Sequence, residues 1–461
     1  MKLSRSPSLF DKTAAMDAVS KRTEPDRLSL IVVIYFLMIV LPIQFNIGSV
    51  FMTGVRLVLL ITTIPLGLRL FRGQFGRIVP TDLLLVIYLL WAVATLFINS
   101  PSEAVNIGGV YTLEVFGGYV LARAYVRTAA QFHAMCRGLF AVLIFTLPFA
   151  IYEMQTGKAL ILILIEKLPA VSSYADYTDS LFGRRLGLER SQVIFSHPIH
   201  YGLFCASLFS FAVVSFRRQI AGYQRFILGF FISVGVLASV SSGAIFPLIL
   251  QLGLVVWAWV FRWISSRWTI LVVIVTFCYV VVDLISNRTG IEVFLSYTAL
   301  SSHTAYGRLI IFEWGMVNVW KSPFIGIGLN DWERPFWLAP SIDNFWLIAA
   351  MRYGIIGFFL LVSSYLTLVW AVMRRNLETD IPVWQIRRGW VFMQIAMILT
   401  LGTVDIWETA LSYVFFLLGS AAWLVSAQAI APEAEPIAVP SDDRTHHRYT
   451  RFPRSEQTLD L

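Results

Sequence analysis

Apolar runs, each of about 20 residues, recur along the whole chain and constrain the fold more than any other feature. A run of that length is sufficient to cross a bilayer as an α-helix. The 461 residues are 57% hydrophobic and only 14% charged, whereas roughly a quarter of the residues in a soluble domain are charged. We therefore predict an all-α polytopic membrane protein with about 12 transmembrane helices, near residues 28–46, 52–71, 81–98, 105–125, 135–152, 198–216, 224–240, 243–263, 268–286, 345–373, 388–404 and 408–427.

The positive charges between these runs predict the orientation of the chain. Arginine occurs in every loop that follows an even-numbered run, at Arg72, Arg77, Arg127, Arg137, Arg217, Arg218, Arg225, Arg262, Arg267, Arg374, Arg375, Arg387 and Arg388. The short loops on the opposite side contain neither Lys nor Arg (44–51, 99–104, 241–242 and 405–407). Because positively charged loops remain in the cytoplasm, we predict that both termini are cytoplasmic. The net charge of +8 is then a topological signal and does not indicate a nucleic-acid partner.

The chain divides into a membrane domain and two polar tails. Residues 1–27 are basic and lack the pattern of a cleaved signal peptide, so we expect a cytoplasmic tail before an uncleaved first helix. Residues 28–427 form the predicted membrane domain. The segment 428–461 is rich in proline and charge, which predicts a disordered cytoplasmic tail. The three cysteines show no metal-ligand or disulfide spacing, and we expect neither a metal nor a cofactor.

Two loops on the non-cytoplasmic side are long, at about 153–197 and 287–342. The first contains three arginines within seven residues, Arg184, Arg185 and Arg190. Guanidinium groups bind phosphate through paired, charge-assisted hydrogen bonds, so this group predicts an anion site. The alternative is an ordinary solvated loop. His197 stands where the next run begins, and a helix-start or packing role is favoured for it over catalysis.

The stretch 301–354 begins within the second long loop and carries the densest set of candidate groups. It opens with His303 in a polar segment. Residues 306–320 predict an amphipathic helix that is too short and too polar to span, so we expect it to lie in the membrane interface with Arg308 at its polar margin. Pro323, Gly326 and Gly328 then predict a turn.

Charged residues inside the apolar runs mark functional or structurally paired positions, because an unpaired charge there is costly. Arg352 and Glu114 are such residues, and Glu114 is a possible partner for Arg352. Asp343 lies nine residues before Arg352, on the opposite face of a helix, so these two are not expected to pair. Asp405 and Glu408 lie in a short external turn. They could face the same cavity, but a solvated position in the turn is favoured.

Several of these residues occur in the order that characterises one family. The chain contains Arg308, then Trp314 in a helix, then KSPFIGIGL at 321–329, IDNFWL at 342–347 and YGIIG at 353–357, with FSHPIHYG upstream. In this it resembles the bacterial O-antigen ligase and polysaccharide polymerase family. It departs from the ligases in having Asp343-Asn344 where they typically carry His-Asn, and Ser241-Ser242-Gly243 where many members have Ser-Arg-Gly. The pattern is most similar to the exopolysaccharide polymerase branch.

The resemblance implies a GT-C-like fold in the bacterial inner membrane, with a long periplasmic loop between helices 9 and 10. It implies a metal-independent, inverting glycosyltransferase that moves an undecaprenyl-diphosphate-linked glycan to a sugar hydroxyl. The implied diphosphate-binding residues are Arg308, Arg190, Arg352, Arg184 and Arg185. The implied base is Asp343 or His303, and the supporting residues are Asn344, His197, Glu114 and Trp314.

The resemblance also implies membrane lipid, a chain-length regulator and a flippase as partners. An O-antigen ligase acting on lipid A–core is an alternative with the same chemistry and a different acceptor. A flippase or transporter of lipid-linked sugars is an alternative of another class, which would account for Arg352 and Glu114 in the membrane. The long external loop and the absence of matching halves favour the enzyme over the transporter.

Overall fold

The computed structural model describes residues 27–47, 50–169, 172–176, 178, 181–287, 289–297 and 302–427. The predictions made for the tails 1–26 and 428–461 therefore concern residues outside this part. Within these described residues the protein is mostly helical, at 71%. Its helices are α1 Leu30–Val40, α2 Gly54–Phe71, α3 Pro80–Asn99, α4 Pro101–Tyr125, α5 Ala129–Thr156, α6 Leu160–Glu166, α7 Pro198–Ser215, α8 Gly222–Ala238, α9 Ser242–Val260, α10 Arg267–Ile285, α11 Gly290–Tyr297, α12 Ser302–Lys321, α13 Phe345–Met373, α14 Ile381–Leu401 and α15 Glu408–Val425.

Within the described residues, nine helices are long and apolar enough to cross a membrane: α2, α3, α4, α5, α7, α9, α10, α13 and α15. The class predicted from the sequence, a helical polytopic membrane protein, is therefore confirmed. The three other predicted spans are helical too, but α1 has 11 residues and α8 has 17. Helix α14 has 21 residues and carries Arg387 and Arg388 in its first half. The count of about 12 spans stays a prediction.

A small antiparallel sheet near the start of the chain departs from the prediction of purely helical structure. Helix α1 ends before Pro42, and the chain then forms β1 (Ile43–Ile47) and β2 (Val50–Thr53), with Gln44 opposite Thr53. Strand β3 (Ser172–Ser173) pairs with the other edge of β1. A proline cannot donate the hydrogen bond that a continuing helix needs, and the β-branched and aromatic residues that follow favour a strand. Through β3, the sheet thereby joins the first long loop to the hairpin that β1 and β2 form.

Helix α13 is interrupted at Gly354, and the interruption is filled by the turn that precedes the helix in sequence. Gly354 has φ 72° and ψ 177°, which are not helical angles. The carbonyls of Met351 and Arg352 instead accept hydrogen bonds from the backbone N–H groups of Ile327 (2.8 Å) and Gly328 (3.1 Å). The N–H of Ile355 donates to the carbonyl of Pro323 at 2.7 Å. Irregular backbone at membrane depth is tolerated only when the protein satisfies it in this way.

The turn 323–328 is the one predicted from its proline and glycines. Gly326 and Gly328 have positive φ angles of 68° and 64°. A Cβ on Gly326 would overlap the carbonyl of Arg352. Helix α3 secures the other side, because Asn99 donates from Nδ2 to the carbonyl of Ile325 at 3.1 Å. The indole Nε1 of Trp91 also donates to the carbonyl of Tyr353 at 2.9 Å. Helix α3, the turn and α13 therefore form one hydrogen-bonded unit.

The first long loop is held by a buried carboxylate at the end of α5. Glu153 is 4% exposed. Its two oxygens accept from the backbone N–H groups of Gln192 (2.9 Å) and Val193 (3.0 Å). Ser191 also donates from Oγ to the carbonyl of Ala150 at 2.7 Å. These bonds hold the segment that carries Arg190 in one position against α5.

We predict that Gly354→Ala destabilises the protein strongly. The backbone angles at Gly354 are accessible only to glycine, at a cost of about 1–3 kcal/mol for other residues. The added Cβ would also overlap the carbonyl of Phe324. The measurement is the thermal unfolding midpoint of the purified protein in detergent.

Gly253→Ala is the matched control, because Gly253 lies in α9 and an added Cβ there has no neighbour within 4 Å. This control should unfold at or slightly above the wild-type midpoint, since alanine favours helix. Equal midpoints for Gly354→Ala and Gly253→Ala would contradict the role given to the interruption.

Candidate functional site

A cavity of about 490 Å³ opens between α4, α13 and the segment that joins α14 to α15. Its lining combines polar and apolar side chains and contains charges of both signs. The lining residues are Phe51, Arg56, Asn106, Ile107, Val110, Tyr111, Glu114, Phe345, Ile348, Ala349, Arg352, Tyr353, Asp405, Ile406, Trp407, Glu408 and Leu411. A partly polar, charged cavity of this kind between apolar helices is a candidate binding site.

The buried charge of Glu114 is paired with Arg56, and the predicted pairing of Glu114 with Arg352 is wrong. Arg56 Nε lies 2.8 Å from Glu114 Oε1, and the two residues are 7% and 4% exposed. Arg56 also donates from Nη1 to the carbonyl of Phe51 at 3.0 Å. Glu114 lies in a π-helical turn, Leu113–Gly117, inside α4. Arg56 lies in the first turn of α2, directly after the β1–β2 hairpin.

Arg352 is exposed to the cavity and not buried among apolar side chains. Its positive charge acts on Tyr353 and on Asp405. Asp343 interacts with other cations, as expected from its distance along the helix. The cavity therefore contains one arginine that a carboxylate neutralises, Arg56, and one that faces the open space, Arg352.

Asp405 lies half-buried at the cavity wall, and the favoured reading of a solvated turn is wrong for it. Burial raises its pKa to about 7, and the nearby charge of Asp343 also raises it. The charge of Arg352 and the backbone N–H of Ile406 act in the opposite direction. A carboxyl group with a pKa near neutrality can accept or release a proton under physiological conditions. Its apolar neighbours Val404 and Ile406 are the sequence signal that could have indicated burial.

Glu408 lies beside Asp405 in the cavity wall, at the first residue of α15. It has a positive φ of 53°, which is uncommon for a residue with a side chain. Its Oε2 atom is buried and has no hydrogen-bond partner among the described residues. A strained backbone and an unpaired buried oxygen in one residue are features that occur at functional sites.

Three arginines from the two long loops surround Asp343 beside this cavity. Arg308 of α12 and Arg190 of the first loop are buried, at 6% and 9% exposed. The charges of Arg308, Arg185 and Arg190 all act on Asp343 and favour its ionised form. Asp343 itself is exposed, so the cluster faces open space.

Arg190 has one hydrogen-bond donor within this cluster that is not used in the described structure. Its Nε is buried without a hydrogen-bond partner in the described structure, and its guanidinium lies 5.9 Å from the centre of the Phe182 ring. Burial and the like charge of Arg185 lower the pKa of Arg190 to about 10, while Asp343 raises it. Burial likewise lowers the pKa of Arg308. The charge of Asp343 acts in the opposite direction but has a smaller effect. Both residues remain cationic at neutral pH, so the cluster has a net positive charge.

His197 caps helix α7, as its position predicted. Its Nδ1 accepts from the backbone N–H of Ile199 at 3.1 Å. Its ring contacts Phe182 and Trp407, with ring centres 4.8 and 5.8 Å away. Burial, and after it the charges of His200, Arg190 and Arg185, lowers the pKa of His197 to about 2. The neutral ring then carries its proton on Nε2, so His197 can donate a hydrogen bond but cannot act as a base.

The cluster and the cavity adjoin each other. Asp343 influences the pKa of Asp405, and Trp407 of the cavity wall contacts the ring of His197. Asn344, between Asp343 and α13, caps that helix by accepting from the N–H of Leu347 at 3.0 Å. The carboxylate of Asp343, just before the start of α13, therefore lies at the border between the arginine cluster and the charges of the cavity.

The remaining predicted site residues lie elsewhere or carry other contacts. Arg184 is 71% exposed at its side chain and pairs with Glu189 at 2.7 Å. Trp314 is half-buried and packs α12 against α13. His303 lies in α12, but its side chain falls outside the described part of the structure. The choice between Asp343 and His303 as a base therefore stays open, and Asp405 joins them as a third candidate.

Comparison of the chain with protein-family models and with curated protein sequences gave no match. Among the described residues, no three His, Cys, Asp or Glu side chains are grouped so that they could hold a metal ion. The chemistry that the site can perform therefore has to be argued from its own charges: cations beside carboxyl groups at the mouth of a polar cavity.

We predict that the carboxyl group of Asp405 titrates near pH 7. Infrared difference spectra recorded across pH should show a protonated carboxyl band that disappears with a midpoint near 7 and is missing in Asp405→Asn. Arg352→Gln should move that midpoint upward, because the charge that favours the ionised form is lost. A band that titrates at the ordinary pKa of aspartate would contradict the burial described here.

Proposed function

We propose that the protein is a glycosyltransferase that uses a lipid-diphosphate-linked oligosaccharide, and that it acts as an exopolysaccharide or O-antigen-type polymerase. In this proposal the donor is an undecaprenyl-diphosphate-linked glycan and the acceptor is a sugar hydroxyl on a second lipid-linked unit. The proposed setting is a GT-C-like bundle of about 12 spans, with both termini in the cytoplasm and the site at the periplasmic face of a bacterial inner membrane.

The observation that carries the proposal is the meeting of cations from two separate long loops around one carboxylate, beside a polar cavity. Arg190 comes from the first loop and Arg308 from the second, and both are buried beside Asp343. A net positive, partly desolvated cluster binds a diphosphate more strongly than exposed arginines would, because the local dielectric is low. The order of motifs in the sequence supports the same class of substrate.

The reaction requires a base and a stabilised leaving group. The acceptor oxygen bonds to the anomeric carbon while the bond from that carbon to the diphosphate oxygen breaks. Negative charge grows on the diphosphate, and Arg308 and Arg190 are the groups proposed to stabilise it. The hydroxyl proton passes to a carboxylate within hydrogen-bond reach. Undecaprenyl diphosphate then leaves with both electrons of the broken bond.

Asp405 and Asp343 suit this transfer in different ways. Asp405 has a pKa of about 7 and lies in the cavity, where it can take up a proton at neutral pH. Asp343 lies among three cations that would also contact a diphosphate, so it is placed to orient these cations before the substrate binds. His303 stays a candidate base from the sequence pattern. A ligase would use the same groups and differ in its acceptor.

We predict that Arg308→Ala and Asp343→Ala each abolish high-molecular-weight polymer in cells while the protein still inserts in the membrane. The loss of Arg308 removes the proposed diphosphate contact, and the loss of Asp343 removes the carboxylate on which three arginine charges act. The measurement is the polymer size distribution, with protein level assessed by immunoblot of the membranes.

Lys321→Ala and Asp331→Ala are matched controls on the same helix and loop. Their side chains are 55% and 74% exposed and pair with Glu333 and Arg334 at the surface. Both controls should keep normal polymer, because exposed ion pairs contribute little. Normal polymer from Arg308→Ala and Asp343→Ala would reject the assignment.

In a deletion strain, single lipid-linked repeats should accumulate on the periplasmic side, whereas repeats retained in the cytoplasm would indicate a flippase.

We also predict that transfer by the purified protein continues undiminished in the presence of a chelator. The arginines in this proposal supply the positive charge that a divalent cation supplies in other enzymes. The measurement is the initial rate of donor consumption with and without EDTA. A rate that falls and is restored by a divalent cation would make the carboxylates at the cavity metal ligands instead.

A further inference from the structure

A second cavity, of about 460 Å³, lies near the other end of helix α14 and is lined by five arginines. They are Arg217, Arg225, Arg262, Arg267 and Arg388, and no Asp or Glu among the described residues lines this cavity. The arginines come from five places in the chain: the segment after α7, α8, the segment between α9 and α10, the start of α10, and α14. Arg388 lies about 13 residues before the end of α14 that adjoins the candidate functional site. This corresponds to about 20 Å at 1.5 Å per residue.

Arginines at this end of the bundle are expected from the topology of the chain, but such residues usually extend into water. Three of these five are partly buried instead. The Nε atoms of Arg225, Arg267 and Arg388 are inaccessible to solvent and have no hydrogen-bond partner in the described part of the protein. A buried donor without a partner is costly, so these positions are not explained by topology alone.

Neighbouring groups hold the guanidinium planes in place. Arg225 donates from Nη1 to the carbonyl of Val213 at 3.1 Å, and Arg267 donates from Nη1 to the carbonyl of Arg262 at 2.9 Å. The guanidinium of Arg388 lies 5.4 Å from the ring centres of both Trp384 and Phe392. The cations are therefore oriented by the protein before any ligand arrives, and pre-organisation of this kind favours binding.

Guanidinium groups that share one cavity repel each other unless an anion lies between them. The group that suits several guanidinium planes is a phosphate or phosphodiester, which accepts paired hydrogen bonds from each. Apart from Gln385, the remainder of the lining is apolar or aromatic and consists of Val213, Val214, Val255, Ala258, Trp259 and Trp384. Trp259 is 68% exposed, on the outer surface of a helix that is apolar enough to cross the membrane.

We propose that this cavity binds the headgroup of an anionic phospholipid, with the phosphodiester on the arginines and an acyl chain along the apolar wall of α9. Basic pockets between membrane helices have the composition needed for such headgroups. A lipid bound there would connect α7, α8, α9 and α14 at one end of the bundle. The site is distinct from the proposed diphosphate cluster, which lies at the opposite end of α14.

The test is the binding of fluorescent phosphatidylglycerol to the purified full-length protein in neutral detergent. Phosphatidylcholine and inorganic phosphate serve as competitors. We expect unlabelled phosphatidylglycerol to compete at concentrations at least tenfold below those needed for phosphatidylcholine. Arg267→Gln/Arg388→Gln should weaken phosphatidylglycerol binding at least tenfold. Arg72→Gln/Arg374→Gln is the matched control, because both residues are exposed outside this cavity, and it should bind as the wild type does.

Because the double variant removes two half-buried side chains, Arg262→Gln provides a second test at an exposed position. It should weaken binding at least threefold while the thermal unfolding midpoint in detergent without lipid is unchanged. Equal binding by the wild type and the Arg267→Gln/Arg388→Gln protein would overturn the proposal. Full displacement of phosphatidylglycerol by millimolar inorganic phosphate would overturn the lipid assignment and identify the ligand as a free phosphate.

Discussion

The interruption of α13 at Gly354 is the constraint on which the arrangement of the site depends. Two carbonyl groups, of Met351 and Arg352, lose their partners within the helix and are satisfied by the turn 323–328. Because that turn follows α12 directly, the same contact determines where α12 and Arg308 lie against α13. Packing of Gly315 against Leu347 brings the two helices close together. One local break in a membrane helix thus positions Arg352 at the cavity and Arg308 beside Asp343.

The charges of the site are divided between two adjoining regions. The carboxyl groups of Glu114, Asp405 and Glu408 lie in the cavity, and the cluster around Asp343 has an excess of arginine. A lipid diphosphate needs positive charge, and an acceptor hydroxyl needs a proton acceptor next to it. In our proposal the division serves these two requirements, and Asp343 lies at the border where the reacting bond would be. The neutral ring of His197 contributes position and a hydrogen-bond donor.

Features that depend on short stretches of sequence could be predicted, and features that depend on distant contacts could not. The apolar runs gave the helical membrane class, Pro323, Gly326 and Gly328 gave the turn, and His197 was expected to start a helix. The pairing of Arg56 with Glu114 was missed because it joins residues 58 positions apart through a hairpin that had been taken for a short loop. The position of Asp405 in the cavity was expected only as the alternative to a solvated turn, because the facing walls of the cavity come from other helices. Gly354 belongs to the YGIIG motif but gave no signal of a break in the helix, since glycine within an apolar run is common in membrane helices.

The most direct test of the central claim is a transfer reaction with the purified protein in liposomes, supplied with an undecaprenyl-diphosphate-linked oligosaccharide as the only substrate. The quantities to measure are the free undecaprenyl diphosphate released and the length of the lipid-linked glycan. The account predicts that one undecaprenyl diphosphate is released for each unit by which the glycan grows. Movement of intact substrate across the bilayer, with no release of undecaprenyl diphosphate, would contradict it.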